Sequence, residues 1–227
     1  MPKLSIIIPA YNEEKTIDLI LQKIVDLDLL SWSKEIIVVD DCSTDQTWQL
    51  LQRWQGDIKL LRLAKNSGKT AAVCAGIKEA SGDYIVIQDA DLEYHPQDLL
   101  IMIKEVDQYQ RAVVYGSRRL GDKSHYSYLT YLWGANLITW LTNILYRQKL
   151  TDVETCYKLI RIDLLKQMNI VSHNYVWENE VTAKLAKQGV KIVEVPISYS
   201  PRSKEEGKKI NWRHGLEALW ATIRFRF

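Results

Sequence analysis

Cysteine and histidine are scarce in this sequence of 227 residues. Its three cysteines, Cys42, Cys74 and Cys156, are an odd number and include no CxxC pair. This argues against a disulfide framework and a zinc site, and it fits a reducing compartment. The four histidines include no HExxH motif. A formal net charge of +2 gives no argument for binding to nucleic acid.

Long hydrophobic runs are also missing. No stretch reaches the ~18 uninterrupted apolar residues typical of a membrane-spanning helix. The nearest, 126–146, is interrupted by asparagine and threonine but is rich in Tyr and Trp. It suits a helix in a membrane interface, a helix packed across the core or a dimer contact. The first residues meet a proline and charges too early for a signal peptide, so we expect a cytoplasmic protein whose membrane contact is peripheral.

Strand and helix patterns alternate along the first ninety residues. Helical spacing is found at 13–30, 43–54 and 69–80, and short apolar runs at 4–8, 35–39, 58–63 and 84–88. Ser43 or Thr44 is placed to cap the second helix. Because the strands are apolar throughout, both of their faces should be buried, which predicts an α/β fold with a parallel sheet covered by helices.

The pattern is looser after Asp91. It predicts a helix at 96–109, a strand at 112–116, strands at 156–160 and 190–199 flanking a helix at 177–188, and a final helix at 211–225. No repeat, low-complexity tract or long linker divides the chain. The sequence therefore predicts a single domain over residues 1–227.

Polar residues follow three of the predicted strands, at 9–13, 40–45 and 89–93. Ligands of parallel α/β sheets bind beyond the carboxyl ends of the strands, so these segments should converge on one edge. Asp89 and Asp91 are separated only by Ala90, which leaves room for a ligand to approach. Two carboxylates so placed suit Mg²⁺ or Mn²⁺, although aspartates at a strand end also cap turns.

Other side chains at this edge have two interpretations each. Asp40 can accept hydrogen bonds from a nucleobase or a ribose, or cap a helix, and we favour the ligand. Tyr11 could stack on a base. Glu13 could bind a ribose or open a helix as an N-terminal acid. For Asp45 we prefer the cap.

Together the motifs resemble the family 2 glycosyltransferases of GT-A fold, and within them the dolichol- and undecaprenyl-phosphate sugar transferases. The motifs are SIIIPAYNEE (5–14), EIIVVDDCSTDQT (35–47), NSGKTAAVCAGIKEASGDYIVIQDADLEYHP (66–96), YGSR (115–118) and WENEVTAKLAKQGVKIVEVPISYSPRSKEEGKKINWRHG (177–215). The resemblance covers nearly the whole chain. It implies a Rossmann-like, mostly parallel sheet, with the nucleotide-sugar donor held by residues 1–118 and the acceptor on the side of 119–227.

The resemblance also implies an inverting transfer by direct displacement, with Mg²⁺ or Mn²⁺ as cofactor. The implied nucleoside contacts are Pro9, Tyr11, Glu13, Asp40 and Asp89, and the implied metal ligands are Asp89, Asp91 and Glu93. Many lipid-phosphate relatives have glutamine where this chain has Glu93. Lys69 resembles a base- or phosphate-side contact, with a solvated lysine as the alternative. The candidate phosphate contacts are Arg118, Arg202, Lys208 and Lys209.

The acceptor is left open between a polyprenyl phosphate, which is favoured, and a hydroxyl of a glycan or glycolipid. A phosphate needs no general base, whereas a hydroxyl does. The candidate bases are Asp152, Glu178 and Glu180. Asp152 opens a segment in which Thr155-Cys156-Tyr157 departs from the serine–glycine–phenylalanine run of relatives. Residues two apart lie on different faces of a helix, so one of Glu178 and Glu180 is expected to be only a solvated charge.

Other classes of function fit the sequence less well, among them a nucleotidyltransferase, which would require a glycine- and lysine-rich loop after the first strand. A non-catalytic nucleotide-binding scaffold would be expected to lack Asp89, Asp91 or the basic segment 202–209, and all are present. A dinucleotide-dependent oxidoreductase would require a GxGxxG turn after the first strand, and this chain has Pro9-Ala10-Tyr11-Asn12-Glu13 there. The sequence identifies neither the sugar nor the nucleotide, UDP or GDP, nor an oligomeric state.

Overall fold

A computed structural model describes residues 1–121, 129–172, 176–202 and 212–227. The strands in these ranges are β1 (Lys3–Ala10), β2 (Ser33–Asp40), β3 (Lys59–Arg62), β4 (Tyr84–Ile87), β5 (Val113–Ser117), β6 (Lys158–Arg161) and β7 (Val193–Pro196). The helices are α1 (Ile17–Val25), α2 (Thr47–Gln52), α3 (Lys69–Glu79), α4 (Leu99–Tyr109), α5 (Leu129–Tyr146), α6 (Ile162–Lys166), α7 (Trp177–Lys187) and α8 (Trp212–Arg224). A short 3₁₀ helix, Pro96–Asp98, precedes α4.

The strands form one sheet in the order β3-β2-β1-β4-β6-β5-β7. The pairs β1–β2, β2–β3, β1–β4 and β5–β7 are parallel, and β6 runs antiparallel to both of its neighbours. The predicted mostly parallel α/β sheet is therefore confirmed. Ala10 pairs with Asp40 and Asp40 with Arg62, so β1, β2 and β3 end side by side.

Burial explains why the central strands form. The side chains at 6–8, 37–39 and 85–87 are at most 1% exposed, as expected of a sheet covered on both faces. Gly76 of α3 lies so close to β1 that a Cβ there would come within 2.4 Å of the Ile7 side chain. The absence of a side chain at this position lets α3 pack directly on the sheet.

The ends of the first two helices differ from the sequence prediction. The helix predicted at 13–30 spans only Ile17–Val25, and Glu13 lies in the loop before it. The expected cap of α2 by Ser43 or Thr44 was wrong, because both bond to Asn12. Asp45 accepts the N–H of Thr47 at 2.9 Å, which agrees with the capping role preferred for it.

Helices α5, α7 and α8 pack on one another beside the sheet. Tyr146 donates its hydroxyl to the carbonyl of Thr222 at 2.8 Å, joining α5 to α8. On α5, Ile138 is buried, whereas Trp133 and Trp140 are 74% and 59% exposed. Part of this aromatic segment therefore packs inward and part faces outward. None of the helices in the described ranges is long and apolar enough to span a bilayer.

Glu35 of β2 fastens the turn that leads into β4. Its carboxylate accepts the backbone N–H of Ser81 at 2.6 Å and of Gly82 at 2.8 Å, and the Ser5 hydroxyl also donates to it. The ammonium of Lys3 lies 3.1 Å from the Glu35 carboxylate. Burial by itself raises the pKa of Glu35, but these hydrogen bonds outweigh it and lower the pKa to about 2. The turn is thus stabilised by the ionised carboxylate.

We expect Glu35→Gln to lower the free energy of unfolding at pH 7 by about 1 kcal/mol, since the group is partly solvated. The folded pKa is depressed, so the contribution is present above the unfolded pKa of about 4.3 and is lost as the pH falls towards 2. Urea unfolding at pH 7 and pH 3 should show a smaller difference from the parent at pH 3. Glu79→Gln, at an exposed ion pair with Lys59, is the control. An equal difference at both pH values would contradict this account.

Candidate active site

The polar segments after β1, β2 and β4 converge, as the sequence predicts. The N–H of Asn12 donates to the Ser43 hydroxyl at 3.0 Å, and the N–H of Glu13 donates to the Thr47 hydroxyl at 2.8 Å. Arg202 then bridges Glu13 to Asp91, which follows β4. Residues 9–13, 40–47 and 89–93 therefore share one edge of the sheet.

The two aspartates at the end of β2 have different partners. Asp40 is fully buried, lies 3.0 Å from the Arg62 guanidinium and accepts the N–H of Ser43 at 3.2 Å. Asp41 accepts the N–H groups of Ser67 and Gly68 at 2.7 and 2.8 Å, while burial raises its pKa. Asp41 was not a sequence candidate, yet it positions the loop that begins α3.

Pro9 and Ala90 are buried among the strand ends, and Tyr11 is partly exposed beside them. Ala90 is only 3% exposed, so its small side chain lies in the core and not on an open surface. Among these three, Tyr11 is the side chain with accessible area at the edge, as a stacking role on a base requires.

Lys69, the first residue of α3, bridges two carboxylates. Its ammonium lies 2.9 Å from Asp89 and 3.1 Å from Glu178 of α7. Burial opposes the charge, but Asp89, Cys156 and Glu178 raise the pKa of Lys69 well above its ordinary value. The alternative of a solvated lysine is therefore wrong. The preceding Gly68 has φ +88°, a backbone conformation that favours glycine at this entry to the helix.

Arg202 lies among three carboxylates, which we call the acidic edge: Glu13, Asp91 and Glu93. Its guanidinium nitrogens are 3.2 Å from Glu13, 3.4 Å from Asp91 and 3.8 Å from Glu93. Its backbone N–H also donates to Glu93 at 2.9 Å, and the Tyr199 hydroxyl donates to Glu93 at 2.5 Å. The segment after β7 is thus bound to the end of β4.

The acidic edge has an excess of negative charge. Burial, together with Asp89 and Glu93, raises the pKa of Asp91 to about 7 although Arg202 opposes the shift. The carboxylate oxygens of the acidic edge are hard ligands of the kind that Mg²⁺ and Mn²⁺ prefer. Within the described ranges, however, no three acidic, histidine or cysteine side chains stand close enough to hold a metal together. The predicted ligands Asp89, Asp91 and Glu93 are instead spread around Lys69 and Arg202.

Arg118 and Asp152 form a buried ion pair. The guanidinium donates twice to the carboxylate, at 2.7 and 2.8 Å, and the N–H of Arg118 adds a third hydrogen bond at 3.1 Å. Burial raises the pKa of Asp152, but Arg118 outweighs burial and lowers it. The predicted phosphate contact and the predicted base are thus bound to each other. Lys208 and Lys209 lie outside the described residues.

The expectation that one of Glu178 and Glu180 is a solvated charge was wrong. Both are buried: Glu178 pairs with Lys69, and Glu180 accepts the N–H groups of Val171 and Ser172 at 2.9 and 2.7 Å. Lys184 adds an ion pair to Glu180. Glu180 therefore fixes the chain before α7, and this explains its burial without a role in chemistry.

Glu154 was missed by the sequence analysis. Asn179 donates to one of its oxygens at 2.7 Å, while burial and Glu178 raise its pKa to about 7. Lys158 donates to the carbonyls on either side of it, at 2.7 Å to Val153 and 2.6 Å to Thr155. The backbone at Glu154 is therefore fixed in position. A carboxyl group with a pKa of about 7 can take a proton near neutral pH. Only its place two residues after Asp152 distinguished it in the sequence.

Residues 5–168 match the sequence model of the family described as glycosyl transferase family 2. This chain belongs to glycosyl transferase family 2. It is 29% identical to the dolichol-phosphate mannosyltransferase of Pyrococcus furiosus, over 91% of this chain and 59% of that protein. An uncharacterized protein of Methanocaldococcus jannaschii is 30% identical, over 97% and 98% of the two chains. The dodecaprenyl-phosphate galacturonate synthase of Rhizobium johnstonii is 28% identical, over 77% and 53%.

The chain therefore spans little more than half the length of the two relatives that have a stated activity. Among solved structures, glucosyl-3-phosphoglycerate synthase from Mycobacterium tuberculosis, in complex with Mn²⁺, UDP and phosphoglyceric acid, matches with a TM-score of 0.76. It is 18% identical, over 99% of this chain and 78% of that one. TarS 1–349 of S. aureus with UDP-GlcNAc is 21% identical, with a TM-score of 0.62 over 95% and 64%. These likenesses confirm the GT-A fold.

The buried pair can be tested by stability. We expect Asp152→Ala to lower the free energy of unfolding by about 3–5 kcal/mol, because it leaves the buried Arg118 without its partner. The matched control is Asp163→Ala, whose pair with Arg161 is about half exposed and should cost about 0–1 kcal/mol. Urea unfolding of both variants gives the comparison. Equal losses would show that burial of the first pair carries no special weight.

Proposed function

We propose that this chain transfers a sugar from a nucleotide-diphosphate sugar to a polyprenyl phosphate, with inversion at the anomeric carbon and with a divalent metal. The observation that carries the proposal is the acidic edge, where Glu13, Asp91 and Glu93 gather beyond the strand ends and offer the oxygen ligands that a divalent cation prefers. The polyprenyl acceptor rests on the printed activities of the Pyrococcus and Rhizobium relatives.

Residues 1–118 are proposed to hold the donor and 119–227 the acceptor. Solved relatives of the same fold contain UDP or UDP-GlcNAc, which supports a uridine diphosphate donor at the corresponding edge. Here Tyr11 would stack on the base and Asp40 would face the nucleoside. Asp40 is already bound to Arg62, so we infer that Arg62 turns aside or shares the ligand.

Asp91 and Glu93, with Asp89 beside them, would hold Mg²⁺ or Mn²⁺. The ion would neutralise the charge that develops on the leaving diphosphate. Arg202 adds a guanidinium whose planar fork matches phosphate oxygens. Lys69 keeps Asp89 in place through an ion pair at 2.9 Å. In the transfer, the acceptor oxygen attacks the anomeric carbon opposite the diphosphate, which leaves with the bonding electron pair.

A polyprenyl phosphate is anionic before it reacts, so the chain has mainly to position it and screen its charge. Arg118 is the cation that we propose for this task, and the phosphate would replace Asp152 as its partner. The exposed Trp133 and Trp140 of α5 support peripheral contact with the membrane in which such a lipid lies.

A hydroxyl acceptor is the second candidate, and Glu154 favours it. Among the acidic residues proposed as bases, Asp152 is bound to Arg118, Glu178 to Lys69 and Glu180 to backbone N–H groups. Glu154 accepts one hydrogen bond, from Asn179, and its pKa is raised to about 7. A hydroxyl would lose its proton to this carboxylate as its oxygen attacks.

The donor is tested by calorimetric titration with UDP and with GDP, each in Mn²⁺ and in EDTA. We expect one nucleotide to bind, and only with the metal. Binding of neither, by a folded protein, would favour a non-catalytic scaffold of the same fold.

Asp91→Asn should lower kcat/KM for transfer by about 100-fold or more, because it removes a negative charge that would bind the metal and, through it, the leaving diphosphate. Since this charge is crowded by Asp89 and Glu93, the melting temperature should stay the same or rise. Asp163→Asn is the control for a lost surface carboxylate. Metal-dependent turnover equal to that of the parent would contradict the assignment of Asp91.

The two acceptors are separated by Glu154→Gln, assayed with undecaprenyl phosphate and with an alkyl glycoside. If the acceptor is a hydroxyl, the rate should fall by about 10²–10⁴-fold. If it is a phosphate, the rate at pH 7.5 should change little, because the phosphate is already ionised. Glu105→Gln is the control, because Glu105 lies on α4 and pairs with Arg111.

A further inference from the structure

The guanidinium of Arg202 already fills the place of a cation. Each of its three nitrogens faces a different carboxylate of the acidic edge, at 3.2, 3.4 and 3.8 Å. The Arg202 side chain is only 17% exposed, and Asp91 and Glu93 are 17% and 10% exposed. Glu13, Asp91 and Glu93 balance the charge of Arg202 in a partly buried setting, where a lone guanidinium would be costly.

This spacing suits a guanidinium and not a metal ion. Mg²⁺ binds oxygen at about 2.0–2.1 Å, so two carboxylates that share one ion must approach more closely than two that flank a planar fork. In agreement, the described residues contain no group of three side chains ready to hold a metal. The guanidinium of Arg202 lies within 3.8 Å of both Asp91 and Glu93, so it stands against the oxygens that would bind such an ion.

We propose that Arg202 and the divalent metal compete for Asp91 and Glu93, so that the metal enters only as Arg202 leaves. This inference rests on the proposed function. In the structure described here, the chain supplies the counter-charge of these carboxylates itself. Arg202, once displaced from Asp91 and Glu93, can pair with the anionic diphosphate that arrives with the metal. On this account Arg202 exchanges the carboxylate oxygens of the acidic edge for the oxygens of the diphosphate.

The exchange links metal binding to nucleotide binding. Metal alone must displace Arg202 from Asp91 and Glu93 and brings no anion in exchange, so it should bind weakly. Metal with UDP offers Arg202 the diphosphate, and should bind more tightly. The same factor must appear whichever ligand is added first, because coupling between two ligands is reciprocal. Arg202 should therefore account for part of the cooperativity between Mn²⁺ and UDP.

The backbone provides a means for this exchange without unfolding the edge. Glu93 remains held by the N–H of Arg202 and by the Tyr199 hydroxyl when the guanidinium turns away. The N–H of Ser200 also donates to the Glu93 carbonyl at 2.9 Å. The segment after β7 thus stays attached to β4, and only the side chain has to move.

The test is a titration of the full chain with Mn²⁺ alone, in which electron paramagnetic resonance measures the concentration of free Mn²⁺. We expect Arg202→Ala to bind Mn²⁺ on the order of tenfold more tightly than the parent, since its charge-assisted hydrogen bonds no longer oppose the ion. Arg202→Lys should be intermediate, because it keeps the charge and loses the fork. Arg161→Ala, which removes one exposed positive charge, should bind Mn²⁺ as the parent does.

The second arm repeats the titration with saturating UDP. The enhancement of Mn²⁺ affinity by UDP should be smaller in Arg202→Ala than in the parent. Unchanged or weaker binding of Mn²⁺ alone by a folded Arg202→Ala would overturn the inference. If Arg202→Ala does not fold, Arg202→Gln takes its place.

Failure of the inference is distinguishable from failure of the proposed function. Cooperative binding of Mn²⁺ and UDP to the parent, with no effect of Arg202→Ala on Mn²⁺ alone, would overturn only the exchange. Absence of Mn²⁺ binding by the parent and by every variant, with and without UDP, would overturn the metal-dependent function and the exchange together.

Discussion

Repulsion between carboxylates at the edge of the sheet is the constraint on which the arrangement of this site depends. The parallel register of β1, β2 and β4 brings their carboxyl ends together, and acidic residues follow each of these strands. Such charges cannot be buried side by side without counter-charges. Lys69 supplies one to Asp89, and Arg202 supplies one to Asp91 and Glu93.

Lys69 and Arg202 also connect segments that are distant in the sequence. Lys69 joins the start of α3 to Asp89 and to Glu178 of α7, so it ties the first half of the chain to the second. Arg202 joins the segment after β7 to the loop after β1. On the proposed function, the side chains that bind the donor also form ion pairs that stabilise the fold. A ligand that binds here replaces existing ion pairs, and the free energy of binding is what remains after their loss.

The sequence predicted the part of this structure that follows from local pattern. Apolar β-branched runs indicated the central strands, and the rule for parallel sheets brought 9–13, 40–45 and 89–93 together. Helix ends were less well predicted: α1 begins at Ile17 because residues 12–14 bond to the loop after β2 instead of continuing the helix. That contact joins segments some thirty residues apart, which helical periodicity does not detect.

The partners of the charged residues could not be predicted in the same way. Arg118, Asp152 and Glu180 looked like a phosphate contact and two bases, because their residue types suit that chemistry. Their pairing depends on how β5, the segment before β6 and α7 pack, and this information is not in the spacing of the sequence. Their roles in transfer stay predictions, as do those of the implied nucleoside contacts and metal ligands.

Glu154 and Asp152 show how strongly packing decides chemical character. The two residues are separated by one position, yet the pKa of Asp152 is lowered by Arg118 and that of Glu154 is raised by burial and Glu178. Lys158 fixes the backbone between them by binding the carbonyls of Val153 and Thr155. One short segment therefore presents a permanent anion towards Arg118 and a proton acceptor towards α7. On the proposed function, an anionic acceptor would compete with Asp152 for Arg118, whereas a hydroxyl acceptor would use Glu154 as its base, so the two acceptors would depend on different carboxylates.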